Sequence, residues 1–172
     1  MTDGLFQFKG RAFVFEDDVD TDAIYPAPYL NLTDEKEIAS HCMEEAFPGF
    51  ASLVRQGDIL IAGNNFGCGS AREHAPLALK GCGISCIIAK SFSRLFYRNA
   101  TNIGLPAITA DIVSFAREGD EVSVDCLTGS ITLVSSGKIV FGAPLPEFML
   151  EILRFGGLTG YLEDRLKAEG RL

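Results

Sequence analysis

Apolar positions along the chain follow two patterns, and the change between them falls near Gly119. Before it, continuous apolar runs at Asp58 to Ala62 and Ile84 to Ala89 predict strands buried on both faces. Leu105 to Thr109 predicts another, with Pro106 in the permissive first position. Phe6 to Phe15 alternates more loosely and predicts one strand or two, ending at the acidic turn Glu16-Asp17-Asp18. Helical segments lie between. Pro26 and Pro28 enforce extended backbone, after which Thr33 or Asp34 caps a helix of about a dozen residues through Phe47, with Glu37 as capping-box partner. Leu77 to Gly83 completes a helix stopped by Gly81 and Gly83. Ser91 to Gly104 predicts an amphipathic helix with Phe92, Leu95 and Phe96 on its core face and Arg94, Arg98, Asn99 and Asn102 on its polar side.

Beyond Gly119 the runs shorten and turn signals separate them. Glu121 to Asp125, Ile131 to Val134 and Ile139 to Phe141 predict an antiparallel meander. Leu145 to Phe155 then predicts an amphipathic helix stopped by Gly156-Gly157, and Tyr161 to Glu169 a final charged helix. The alternation of strand and helix before the meander places the chain in the α/β class, with a parallel central sheet, helical crossovers and an additional antiparallel meander.

Composition narrows the partners. With 172 residues, 47% of them apolar, the chain is expected to form one domain over residues 1–172 around a good-sized core. A net charge of −8 argues against nucleic acid and anionic membranes as partners, but it leaves a small anionic substrate open, for which local arginines matter more. The N-terminus lacks a basic start followed by an apolar core, and no apolar run approaches the roughly 18 residues of a membrane span, so a cytoplasmic protein is expected. The five cysteines are odd in number and scattered, which does not make a disulfide framework. Cys82 and Cys86 form the only close pair; with no C-x-x-C and two histidines, no zinc or iron-sulfur site is expected on this chain.

The candidate chemistry lies in Gly63 to Pro76, GNNFGCGSAREHAP, directly after a predicted strand. Strand, glycine turn and helix follow in order, with the helix opening at or just after Ser70. Such a junction gathers backbone N-H groups and a positive helix end, which suits an anion. Ser70 could be held there as an alkoxide, and Arg72 could bind a carboxylate through two parallel hydrogen bonds. Read as structure alone, Ser70 caps the helix and Arg72 is a surface charge. A P-loop is excluded by Gly69, which stands where a lysine is required, and a dinucleotide fingerprint by Arg72, where a third glycine is required. The hydrolase elbow G-x-S-x-G is also absent. Upstream, Asp18, Asp20 and Asp22 alternate around Thr21; a calcium loop would need a glycine and a distal glutamate that are missing, so these side chains are expected to hold a loop through backbone amides.

Asn65 to Pro76 resembles the NFGxGSSREHAP signature of the aconitase superfamily, in its mobile swivel domain. Asp18 to Pro26, DVDTDAIYP, resembles that domain's D-x-(D/N)-T-D-x-I-x-P segment. The two stand in the family's order, and the chain is about the length of its free-standing small subunits, those of 3-isopropylmalate dehydratase and its homoaconitase and methylmalate-type relatives. The resemblance implies a three-layer β/β/α swivel fold and a dehydration and rehydration that moves a hydroxyl between adjacent carbons of a 2-hydroxy diacid. It implies Ser70 as the base, Arg72 and Gly69 at the substrate, and Asp20, Thr21, Asp22, Asn65, Gly67, Glu73 and His74 in support. Asn31 and Leu32 match the loop that touches the substrate's distinguishing side chain; with neither an arginine nor two apolar residues they fit no substrate cleanly, and the missing arginine counts against a tricarboxylate. Ala71 replaces a second serine that contacts substrate in many relatives, and Arg94 or Arg98 could assist at the entrance. The resemblance further implies a 4Fe-4S cluster on a separate large subunit, without which this chain is inactive. A non-enzymatic dicarboxylate-binding module and a serine hydrolase using Ser70 and His74 are the competing classes. Cys68 is read as a small side chain in a tight turn, with redox sensitivity as its alternative.

Overall fold

Gln7–Val14 (β1) is flanked on both edges, and the rest of the structure is built outward from it. In the computed structural model, which describes residues 3–171, Gln7 to Arg11 pair antiparallel with β5 (Glu121–Asp125), while Ala12 to Val14 pair parallel with β2 (Ile59–Ala62). Parallel β3 (Cys86–Ala89) and β4 (Ala107–Thr109) continue beyond β2. Antiparallel β6 (Ser130–Leu133) and β7 (Lys138–Phe141) continue beyond β5. Among the described residues the strands form one sheet in the order β4-β3-β2-β1-β5-β6-β7. The loosely alternating first segment is therefore a single strand whose two halves have opposite kinds of neighbour.

Alternate residues of the parallel strands serve two cores, as the period of two requires. Leu60, Ala62, Ile87 and Ala89 pack under helices. Ile59, Ile61, Cys86, Ile88 and Ile108 share the other core with Val122, Val124, Ile131 and Leu133 of the meander. Strands of one sheet can share a core in this way only if the sheet curls back over itself. The layers are meander, parallel strands and helices, which is the β/β/α order. The helical layer comprises α1 (Thr21–Ile24), α2 (Glu35–Ser40), α3 (Phe50–Leu53), α4 (His74–Cys82) and α5 (Arg94–Asn102); α6 (Glu147–Arg154) and α7 (Leu158–Ala168) follow the meander.

Three expectations change. The helix begun at Asp34, whose side chain accepts from the Lys36 and Glu37 amides at 3.0 Å, ends at Ser40 instead of running to Phe47. Met43 there adopts φ +56, donates its N-H to Ile24 O at 2.8 Å and buries its side chain completely. Tertiary burial outweighs helix propensity at this corner. Gly81 does not stop α4: it lies inside the helix, where an added Cβ would come to 3.0 Å from Ala39 of α2, and Gly83 at φ +119 makes the stop. Leu95 is 44% exposed; the buried face of α5 is Phe96, Ala100 and Thr101.

The far end of β2 is anchored by Asp58, which is buried. Its carboxylate accepts from Arg11 Nη2 at 2.6 Å, Arg11 Nε at 3.2 Å, the Arg11 amide at 3.2 Å and the Arg55 amide at 2.8 Å. Burial alone would raise its pKa, but the Arg11 guanidinium and the two backbone N-H groups outweigh it and hold the carboxyl below its usual value.

Candidate active site

The loops that leave β1 and β2 are stitched together along their length. Gly63 N donates to Glu16 O, Asp18 N to Asn64 O, Gly67 N to Val19 O and Thr21 N to Cys68 O, at 2.8 to 3.1 Å. Asp17 Oδ1 accepts the Asn64 N-H at 2.6 Å, and Asn65 Nδ2 donates to Asp18 Oδ1 at 2.8 Å. Asp18 and Asn65 face each other at φ +58 and +59, a left-handed conformation that short, locally hydrogen-bonding side chains tolerate. At Gly67, φ +75, a Cβ would overlap the Phe96 ring, so the motif glycine lets α5 lie directly against the loop. Ser91, following β3, accepts the Asn65 N-H on its hydroxyl at 2.8 Å and the Phe66 N-H on its carbonyl at 3.0 Å. Of the three alternating aspartates expected to bind backbone amides, Asp20 does so, its Oδ1 capping α1 through the Ala23 amide at 2.7 Å, whereas Asp18 and Asp22 bind the side chains of Asn65 and Arg72.

On this frame the candidate groups converge. Thr21 is buried, 1% exposed, and its Oγ1 lies 2.8 Å from Ser70 Oγ while accepting the Ser70 N-H at 3.1 Å. Arg72 pairs with Asp22 and donates from Nη1 to Tyr25 O at 3.4 Å. Asn99 of α5 donates to Ala71 O at 3.2 Å. The His74 ring stacks on Tyr25 with centroids 5.4 Å apart. Asp20, Thr21, Asp22, Asn65, Gly67, Gly69, Ser70, Arg72 and His74 thus form one cluster, with Glu73 exposed at its rim.

One geometric expectation is overturned. The helix opens at His74, so Ser70 is not its cap; Glu73 occupies that position without a side-chain cap bond. Residues 70–72 precede the helix, held by the Ser70–Thr21 bonds and the Arg72–Asp22 pair, and Glu73 already has right-handed helical backbone. The N-H groups of Ala71, Arg72 and Glu73 donate to no protein group among the described residues. They are available to an anion as backbone dipoles.

The Aconitase C-terminal domain model matches residues 44–111, a span that contains the entire Gly63 to Pro76 stretch. Over 163 residues the chain is 51% identical to the 3-isopropylmalate dehydratase small subunit of Caldicellulosiruptor bescii, covering 94% of this chain and 98% of that protein. The chain belongs to the 3-isopropylmalate dehydratase small-subunit family. Within that family it is also 53% identical, over 92% of its length and 95% of the relative's, to a Methanocaldococcus jannaschii protein named isopropylmalate/citramalate isomerase small subunit. A crystal structure titled as the 3-isopropylmalate dehydratase of the same organism covers 96% of this chain and 98% of its own, at a TM-score of 0.91 and 46% identity.

Other candidate residues of this family member stand apart from the cluster. Asn31 is exposed and Leu32 packs partly on the helix-side core; among the described residues no hydrogen bond joins either to Ser70 or Arg72. Their loop is tied instead to Tyr25, whose hydroxyl donates to Tyr29 O at 2.9 Å, and Tyr29 stacks on His41 at 3.6 Å. Arg94 and Arg98 are exposed and form no ion pair among the described residues; Asn99, between them in sequence, makes the contact to the site loop. Asp17, Asn64 and Ser91 were not anticipated as loop supports, because their partners are distant in sequence.

Among the described residues the five cysteines are not gathered at one place; the resemblance assigns the iron-sulfur cluster to a separate large subunit. Cys82 and Cys86, four positions apart in sequence, serve opposite faces of the sheet, one beside Cys42 and the other beside Cys126. Among the described residues no three His, Cys, Asp or Glu side chains are grouped to hold a metal ion. Cys68 stands alone in the loop, its thiol pushed up by burial first and then by Asp20 and Asp18, which opposes thiolate chemistry.

Proposed function

We propose that this chain is the small subunit of a hydro-lyase that interconverts 2-isopropylmalate and 3-isopropylmalate by dehydration and rehydration, a step of leucine synthesis in the cytoplasm. The observation that carries the reading is the convergence of the Ser70 hydroxyl, the Arg72 guanidinium and the unused amides of residues 71–73 on a frame built from both family motifs.

The chemistry asks for a group that removes a proton next to a carboxylate, and for cations that hold that carboxylate as charge builds on it. Ser70 Oγ takes the proton in one direction and returns it in the other. Arg72 offers parallel N-H donors to the substrate carboxylate. Asp22 occupies that guanidinium here, so a substrate carboxylate would replace one of like shape and charge, with little reorganisation of the arginine. Gly69, at φ +93 beside Thr21, leaves the approach to Ser70 free of side chain. Among the described residues no side chains are grouped to hold a metal ion that could take the departing hydroxyl. In our reading a large subunit carrying a 4Fe-4S cluster docks over this face, and that cluster supplies the Lewis acid.

The test is anaerobic reconstitution with the large subunit from the same genome, following alkene absorbance with 3-isopropylmalate, citramalate and homoaconitate precursors in parallel. Turnover is expected only with both chains, with Ser70→Ala lowering kcat by about a thousandfold or more. Activity of this chain alone, or full activity of Ser70→Ala, would sink the reading. The name of the Methanocaldococcus relative favours a second reading in which citramalate is also a substrate. Asn31 and Leu32 are the discriminating residues, and replacing Asn31 by arginine is expected to move preference toward a distal carboxylate. Unchanged ratios of kcat/KM would remove this loop from specificity.

A further inference from the structure

We propose that Thr21 is the positioning residue that tunes Ser70, donating its hydroxyl proton to Ser70 Oγ and so stabilising the serine oxygen as a base. The inference rests on Ser70 being the base, as read above, and it comes from accounting for one proton. Thr21 is 1% exposed, so its hydroxyl hydrogen cannot be left to water. Its Oγ1 already accepts the Ser70 N-H at 3.1 Å, and Ser70 Oγ, 2.8 Å away, is its one other polar side-chain neighbour within hydrogen-bond distance among the described residues. If Ser70 donated to Thr21, the threonine hydrogen would be buried without an acceptor, an arrangement folded proteins avoid. The proton therefore points from Thr21 to Ser70. The resulting ring is reciprocal: the Ser70 amide holds the threonine oxygen, and the threonine hydroxyl holds the serine oxygen.

This arrangement favours the reactive form. A neutral Ser70 keeps its own hydrogen free to point away from Thr21. An alkoxide at Ser70 can no longer donate, and it receives the Thr21 bond in strengthened, charge-assisted form. Thr21 cannot drift out of place, because its amide donates to Cys68 O at 2.9 Å and its side chain begins α1, which Asp20 caps. The close approach of the two motif segments thus serves a chemical end: the first motif supplies a hydrogen bond to the base carried by the second. Asp20, Asp22, Cys68, Arg72, Glu73 and His74 are the other titratable or charged groups of the two segments that meet at Ser70, and substitution of Thr21 removes none of them.

Thr21→Val nearly keeps the volume but removes the hydroxyl, and with it both the bond to Ser70 Oγ and the acceptor of the Ser70 N-H; Thr21→Ser keeps both. In the reconstituted two-subunit enzyme, Thr21→Val is expected to lower kcat by about a hundredfold, with KM within about threefold and the acid limb of the kcat/KM profile moved to higher pH. Thr21→Ser is expected to recover kcat to within about threefold. Ser70→Ala is run alongside. If it is inactive while Thr21→Val retains full kcat and an unmoved profile, the inference about Thr21 is overturned and the function stands. Equal loss in Thr21→Ser and Thr21→Val would also overturn it, showing a packing role. Full activity in Ser70→Ala would instead overturn the reading of the base itself.

Discussion

Arg72 and Ser70 lie two positions apart, yet they are held by different means and should fail differently. Ser70 is fixed through a buried threonine, whereas Arg72 is fixed by an exposed aspartate. Arg72→Lys keeps the charge but loses the planar fork, and is expected to raise KM by about tenfold to a hundredfold with a smaller change in kcat. Steady-state kinetics on the reconstituted enzyme checks this, and an unchanged KM would remove Arg72 from substrate binding. Ala71 shows the limits of a motif at this scale. The missing hydroxyl costs one potential contact, while its carbonyl still serves the fold by accepting from Asn99.

Among the elements, the loops after β1 and β2 matter more than the helix they lead into. Gly67 permits α5 to touch the loop, so Gly67→Ala should destabilise the protein by about 2–3 kcal/mol through the Phe96 overlap and the strained φ, a loss that urea unfolding would register. Asp58 anchors the opposite end of β2. Its carboxyl is held below the usual carboxylate value in the folded state, so the stability it contributes is present above about pH 4 and is lost as pH falls through the lower folded value. Asp58→Ala should cost about 3 kcal/mol at neutral pH and flatten that acid dependence, as urea titrations at several pH values would show. The elements legible in the sequence were those with a strong local signal: continuous apolar runs for β2 and β3, and turn residues for the meander. The length of α2 and the start of α4 were not legible. Met43 turning back to Ile24, and Ser70 reaching across to Thr21, are long-range bonds that no local periodicity records.

At the scale of the molecule, β1 makes the two cores interdependent, because five of its residues pair with the meander and three with the parallel strands. Amides of β3 and β6 are therefore expected to exchange with the same opening free energy in native-state hydrogen exchange; separate values would mean that the meander opens alone. The sequence alone determined the α/β class, the order of the strands and helices along the chain, and the two motifs in which Ser70, Arg72 and the aspartates stand, because local apolar periods, turn residues and long motifs are written in consecutive positions. Tertiary structure decided the rest. It curled one sheet over itself to give the β/β/α layers, put Cys82 and Cys86 on opposite faces, placed Ser70 ahead of the helix, and brought its hydroxyl to 2.8 Å from that of Thr21. Each of these depends on which distant groups meet and on what burial then requires of their hydrogen bonds, and neither is encoded in any single stretch of the chain.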